Sequence, residues 1–403
     1  MDRILRGASL IDGTGTDPRR ADVTIRGGRI ESVASGGGAD RDLLDLDGLT
    51  LLPGLIDAHS HFGLVEMIPA HTAPAVMAAR IFRNCELALA AGFTTVRDTG
   101  GIDGGVATAV EMGLVPGPRI LPSGPLICQT GGHGDERNPF GLHAHDHPGV
   151  PGLVQVSLPC DGPDEVRLAA RTVLRRGATQ VKVCVSGGVV SLTDRIEDAQ
   201  FTVEELMAAV QEADARDTYV TAHAHNVRGI RNGLDAGISC FEHGTFLDEE
   251  TAAAMAAAGA YLVPTFAVTR IFAENADAWG IPPDVVPRMA GIEEAMTRAL
   301  KIARNAGLVI GSGSDILGPE QNRRGLELVI RSQLGDPMEA IVSATAVNAR
   351  ILRLDRDLGT VEPGKQADLV AVDFDPLRQP EGFDQPDRIR MVIKGGILVK
   401  DTR

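Results

Sequence analysis

The hydrophobic positions of this chain follow two rhythms. Between residues 51 and 315, apolar runs of strand length recur as LLPGLIDAH, TTVRD, RILPSG, QVKVCVSG, YVTAHAH, CFEHG, YLVPTF and VIGSGSD. Longer Ala/Leu-rich segments of helical period separate them, and that alternation predicts a parallel sheet with covering helices. Eight such units predict an α/β chain built as a (β/α)8 TIM barrel, whose chemistry sits at the C-terminal ends of the strands. Toward the two termini the rhythm changes. Residues 3–52 and 358–400 read as short strands divided by Gly and Asp turns. The expected organisation is a small β-sandwich domain from residues 1–55 and 355–403, and a barrel from residues 56–354.

Polar residues interrupt the apolar runs at particular places. Lys182 stands inside ATQVKVCVSGG, where a buried ammonium costs several kcal/mol unless it is paired, neutralised or chemically altered. The plain reading is a salt-bridged core lysine, which requires a carboxylate against it. His59 and His61 lie two apart at the end of the first run, so a period of two puts them on one face. His223 and His225 end the fifth run, His243 lies in the sixth and Asp315 ends the eighth. On the expected barrel all of these face one mouth, and neutral imidazoles with a carboxylate suit zinc or a similar divalent ion. His133 follows the third run in TGGHGD. The stretch LHAHDHPG carries His143, His145 and His147 within a Gly/Pro-rich segment, residues 125–160, expected to act as a lid over the mouth. His71 is far from any strand end and reads as structural, and Cys184 and the stripe around Met255 read as packing.

Composition narrows the function classes. The 403 residues are 43% hydrophobic, enough for a large core, and the formal net charge of −15 argues against nucleic-acid or anionic-membrane partners. The five cysteines are scattered, with no Cys-x-x-Cys pair, which fits a reducing compartment. No signal peptide or membrane anchor is visible in MDRILRGASLIDG, so the cytoplasm is the expected location.

Taken together, PGLIDAHSH (53–61), VKV (181–183), TAHAH (221–225), FEHG (241–244) and GSGSD (311–315) resemble the metal-dependent amidohydrolase superfamily. The resemblance is to its imidazolonepropionase-like and Xaa-Pro dipeptidase-like branch, which also contains ochratoxin-cleaving amidases. It implies two divalent metal ions, most readily Zn2+, bridged by an N-carboxylated Lys182. His59, His61 and Asp315 would hold the first ion, and His223 and His243 the second. Hydrolysis would follow attack by a hydroxide bridging the metals, with Asp315 moving the proton and with His133 and His225 at the substrate. The implied partner is a small molecule, a dipeptide or N-acyl amino acid, and related barrels often form homo-oligomers. A substrate carboxylate would want an arginine at the mouth, and Arg137, Arg195, Arg228, Arg270, Arg323 and Arg324 all follow candidate strands. After Asp315 the chain reads ILGPEQNRRG, without the histidine that many relatives carry there. The competing readings are a cyclic amide or imidazolone hydrolase, a mononuclear deaminase, and a non-catalytic scaffold. A mononuclear deaminase would not need Lys182, and a scaffold would be expected to have lost ligands.

Overall fold

The computed structural model of the chain describes residues 2–34, 43–65, 72–135, 137, 149–191, 193–277, 289 and 291–403. His71, His143, His145 and His147 lie outside the described residues.

The termini combine in one mixed eight-stranded sheet. Its N-terminal strands are β1 (Arg3–Leu10), β2 (Arg19–Arg26), β3 (Arg29–Ala34), β4 (Leu43–Asp45) and β5 (Thr50–Pro53). Its C-terminal strands are Leu369–Val372, Ile389–Lys394 and Ile397–Asp401, and Leu369–Val372 runs antiparallel to β5. The period of two gives this sheet two packed faces. Leu369 and Ala371 join Leu5, Val23 and Met391 in a small separate core, while Val370 and Val372 face the large core of the chain.

Between the termini, strands alternate with helices as the apolar rhythm predicts. A three-stranded parallel sheet contains β6 (Leu55–Ser60), β7 (Phe93–Asp98) and β9 (Arg119–Pro122). The intervening β8 (Gly101–Ile102) pairs instead with β11 (Val154–Gln155). A seven-stranded sheet runs β12 (Ser157–Pro159), β10 (Leu126–Cys128), β13 (Val181–Cys184), β14 (Val220–Ala224), β15 (Cys240–His243), β16 (Tyr261–Val263) and β17 (Val309–Ile310). Hydrogen bonds link residues in or next to the two sheets in two places. Ala58 N donates to Ser312 O (3.1 Å), and Thr179 N donates to Pro122 O (2.8 Å). The covering helices bury one stripe each: in Gly162–Arg175 the buried positions are Val166, Ala169, Ala170, Val173 and Leu174, the spacing of one helical face.

Two runs differ from their expected strands. RILPSG ends as a strand of the three-stranded sheet at Pro122, and after Gly124, at φ +70°, the chain enters the seven-stranded sheet as β10, flanked by β12. VIGSGSD is a strand only over Val309–Ile310, because its glycines let the backbone press against β6. A Cβ at Gly313 would lie 2.4 Å from the His59 Cβ, so only glycine fits there. Among the described residues, no helix is long and apolar enough to cross a membrane.

Candidate metal centre

The ends of the parallel strands bring the polar residues together. Lys182 on β13 pairs in register with Thr221 on β14, and His223 follows two residues later on the same face; Ala224 pairs with His243 on β15. Asn226 ends β14 by capping the next helix, its Oδ1 accepting from Gly229 N (2.8 Å) and its Nδ2 donating to Ile196 O and Asp198 O. That cap fixes the turn directly after His225. His243 and Asp315 adopt left-handed backbone conformations, φ +67° and +55°, at a cost on the order of 1 kcal/mol each. Strain of that kind at two residues facing one cluster is a feature of functional sites.

Nitrogen and oxygen atoms converge in two groups that share His243. Potential ligand atoms of His59, His243 and Asp315 lie within 4.8 Å of one another, as do those of His223, His225 and His243. Beside the first group, His61 Nδ1 donates to Gly100 O (2.9 Å), because a carbonyl can only accept. Its Nε2 faces Asp315 Oδ1 at 3.1 Å and His59 Nε2 at 3.3 Å; burial opposes protonation, but Asp315 outweighs it and raises the imidazole pKa. In the second group His223 Nε2 donates to Gly187 O (3.3 Å), leaving Nδ1 as the acceptor 2.9 Å from His243 Nε2. His243 Nδ1 contacts Thr265 Oγ1 (2.8 Å), and His225 Nδ1 contacts Thr245 Oγ1 (2.7 Å). Imidazole nitrogens and a carboxylate oxygen gathered this closely are the donor types that divalent cations take, so the residues present fit such ions.

Electrostatics agree with that donor set for His223, His225 and His243. Burial holds His223 and His243 well below the usual imidazole range and His225 down to about 3, so all three stay neutral and ligand-competent at pH 7. Burial opposes ionisation of Asp315, but His59 and His61 outweigh it and hold the carboxyl well below its ordinary value. Lys182 is 2% exposed, and its Nζ has no hydrogen-bond partner among the described residues. Burial lowers its pKa against the attraction of Glu242. The salt-bridged reading of this lysine therefore lacks its carboxylate contact.

The remaining sequence candidates separate. The His133 ring stacks on His223 at 4.0 Å, and its Nδ1 contacts Ser191 Oγ (2.5 Å). Burial lowers its pKa to about 4. Cys184 packs in a small cluster with Leu126 and Cys128, and Met255 is in the large core. Of the six arginines, Arg324 is fully buried, donating to Asp57 Oδ2 (2.5 Å) and Ser60 Oγ (2.8 Å). Arg137, Arg195, Arg270 and Arg323 pair with Asp135, Asp198, Glu293 and Asp384 respectively. Arg228 is exposed in the first turn after His225 and makes no ion pair among the described residues.

Sequence reasoning missed the residues beneath the histidines. Glu242 and Arg97, each without exposed side-chain area, form a 2.7 Å ion pair, and Glu242 Oε2 also contacts His59 Nδ1 at 2.7 Å. Both interrupt apolar strand runs just as Lys182 does, and that was the available signal.

Imidazoles and a carboxylate gathered at the ends of parallel strands form a centre suited to divalent-metal chemistry, and the family match adds the reaction class, a hydrolase acting on amide bonds. The amidohydrolase family model matches residues 50–399, and the chain belongs to that family, whose members generally use divalent metals. It is 33% identical to ochratoxinase of Aspergillus niger over 422 aligned positions, which cover 98% of this chain and 86% of the relative. A prolidase complexed with N-methylphosphonate-L-proline superposes with a TM-score of 0.92 at 35% identity, over 100% of each chain. A Xaa-Pro dipeptidase with methionine bound in its active site superposes with a TM-score of 0.90 at 32% identity, over 99% of this chain and 100% of the other.

Proposed function

We propose that the chain is a dinuclear metal-dependent amidohydrolase that releases an amino acid from small dipeptides or N-acyl amino acids, Xaa-Pro substrates included. In this reading the two parallel sheets close into a (β/α)8 barrel, residues 56–354, and residues 1–55 with 355–403 form the second, β-sandwich unit. The observation that carries the metal assignment is Lys182, a buried amine without a hydrogen-bond partner among the described residues, within electrostatic reach of Asp315, His223 and His243. Burial favours the neutral amine, the form that reacts with CO2, and the resulting carbamate is an anion suited to bridge two cations. His59, His61 and Asp315 would hold one ion and His223 and His243 the other, with Zn2+ the first choice for this donor set. When bound, the ions supply a lowered pKa for water and polarisation of the scissile carbonyl.

The chain's own groups do the rest. Asp315, held ionised, takes the proton of the attacking water and delivers it to the leaving nitrogen. His133, half-buried and stacked on His223, and His225, buried and stacked on His243, orient the substrate carbonyl. Arg228 is the guanidinium left to receive a substrate carboxylate. Support for an amino acid as the released half comes from the two neighbours that hold N-methylphosphonate-L-proline and methionine.

The test is amino-acid release from pooled dipeptide and N-acyl amino-acid libraries by zinc-loaded protein, read by mass spectrometry. Release from a defined subset is expected, together with loss of bound metal and of activity in Lys182→Ala. Full activity of that variant would overturn the mechanism, and metal-loaded protein that releases nothing would move the assignment to cyclic amides.

A further inference from the structure

We propose that Glu242 and Arg97 are positioning residues for His59: a buried ion pair that fixes the imidazole with Nε2 turned into the cluster and thereby sets metal affinity at the His59/His61/Asp315 position. The inference rests on the dinuclear reading above and adds residues to it.

The geometry determines the proton's place. Arginine stays protonated in proteins, so Glu242, 2.7 Å from Arg97 Nη2, is a carboxylate and can only accept hydrogen bonds. His59 Nδ1, 2.7 Å from Glu242 Oε2, must then carry the ring proton. As a metal ligand in that reading the ring is neutral with one N–H, so its Nε2 presents the lone pair, at a position 3.3 Å from His61 Nε2 and 3.4 Å from Asp315 Oδ1.

The carboxylate is itself held on every side. Its Oε1 accepts from Arg97 Nη2, from Thr221 Oγ1 and, at 3.7 Å, from Cys240 Sγ. Arg97 is anchored in turn by Nε to Ala58 O (2.5 Å) and by Nη1 to Tyr219 Oη (3.3 Å). Ala58 is the residue before His59, so the same guanidinium steadies the ligand's backbone and, through Glu242, its ring. The other orienting contacts differ in kind: His61 and His223 lean on backbone carbonyls, and His243 and His225 on threonine hydroxyls. Among these five, His59 is the one that contacts a carboxylate outside the proposed ligand set. A carboxylate behind a ligating imidazole raises its basicity and locks its tautomer, and removal of such a partner typically lowers metal affinity 10- to 100-fold.

The experiment compares zinc binding by the full-length wild type, Glu242→Gln, Arg97→Met and the double variant. Metal per chain is measured after equilibrium dialysis across graded free zinc, and the absorption spectrum is recorded on the cobalt-loaded forms. Glu242→Gln is nearly isosteric, so a purely packing role would leave both readouts unchanged. The expected result is a loss of about 10- to 100-fold at one of two binding positions, an altered cobalt spectrum, and a double variant no worse than the weaker single one, because Arg97 acts through Glu242. Wild-type affinity at both positions with an unaltered spectrum in Glu242→Gln would overturn the proposal. Should Glu242→Gln fail to fold, the double variant, which leaves no buried charge unpaired, is judged by the same criteria. A wild type that binds no metal would defeat the dinuclear reading itself, an outcome visible before any variant is compared.

Discussion

Two glutamates in this chain are equally buried, and their surroundings push their carboxyls in opposite directions. Glu242, beneath the histidines, has no exposed side-chain area; burial disfavours its charge, but Arg97 and His59 outweigh burial and keep it ionised. Glu327, in the helix Leu326–Gln333, is 1% exposed, and burial pushes its pKa up to about 8 against a weaker opposing pull from Arg331. Its Oε2 accepts from Ala267 N (2.8 Å), but its Oε1 has no hydrogen-bond partner among the described residues. Arg331 donates Nη1 to Gly311 O (2.8 Å) and makes no hydrogen bond to the glutamate. Burial alone therefore does not decide the charge of an acid; the geometry of its cation does.

That comparison can be broken most forcefully at Glu242. Glu242→Ala strands Arg97 in the core and should destabilise the protein by about 3–5 kcal/mol, measured by urea unfolding. Adding Arg97→Met should recover part of the loss. A small effect of Glu242→Ala alone would mean that the pair is not fully desolvated.

Glu327 sharpens the contrast through pH. Its folded pKa of about 8 lies above the ordinary value of 4.5, so its contribution to stability is complete below about pH 4.5 and is lost as pH rises toward 8. Glu327→Gln should remove that loss, at up to about 1.4 kcal/mol per pH unit inside the window. The two proteins should differ little in Tm near pH 4.5, and the variant should be the more stable at pH 8. Parallel Tm curves would show that Glu327 does not titrate in this window.

Effects of the next size lie at the mouth. Arg228→Met should raise KM about tenfold for substrates with a free carboxylate and leave their carboxamide analogues unaffected. Steady-state kinetics on matched pairs reads this directly. Smallest is Thr265→Val, which replaces a neutral orienting hydroxyl at His243 and should weaken zinc binding by roughly fivefold, about 1 kcal/mol. A loss as large as that of Glu242→Gln would erase the distinction between charged and neutral support.

Much of the architecture was legible because periodicity is a local property. Runs such as YVTAHAH and CFEHG became parallel strands where expected, and His223 and His225 share a face because a strand repeats every two residues. The eighth run was harder to read, since its glycines serve a close approach to His59 that no local pattern reveals. The extra strands Leu126–Cys128 and Ser157–Pro159 were obscured by prolines and glycines that read as loop.

By itself, then, the sequence determined the kind of elements, the strand ends at which the histidines sit, and the anomaly of Lys182. Only the tertiary structure decided which partner each of those groups would meet. His59 and Glu242 are 183 residues apart in the chain and 2.7 Å apart in space. Their contact, like the pairing of Arg324 with Asp57 and the lack of an ion pair for Arg228 among the described residues, depends on how strands stack side by side. The period of a strand fixes which face a side chain takes, but its neighbour on that face belongs to another strand, and the charge state of a buried group follows from that neighbour.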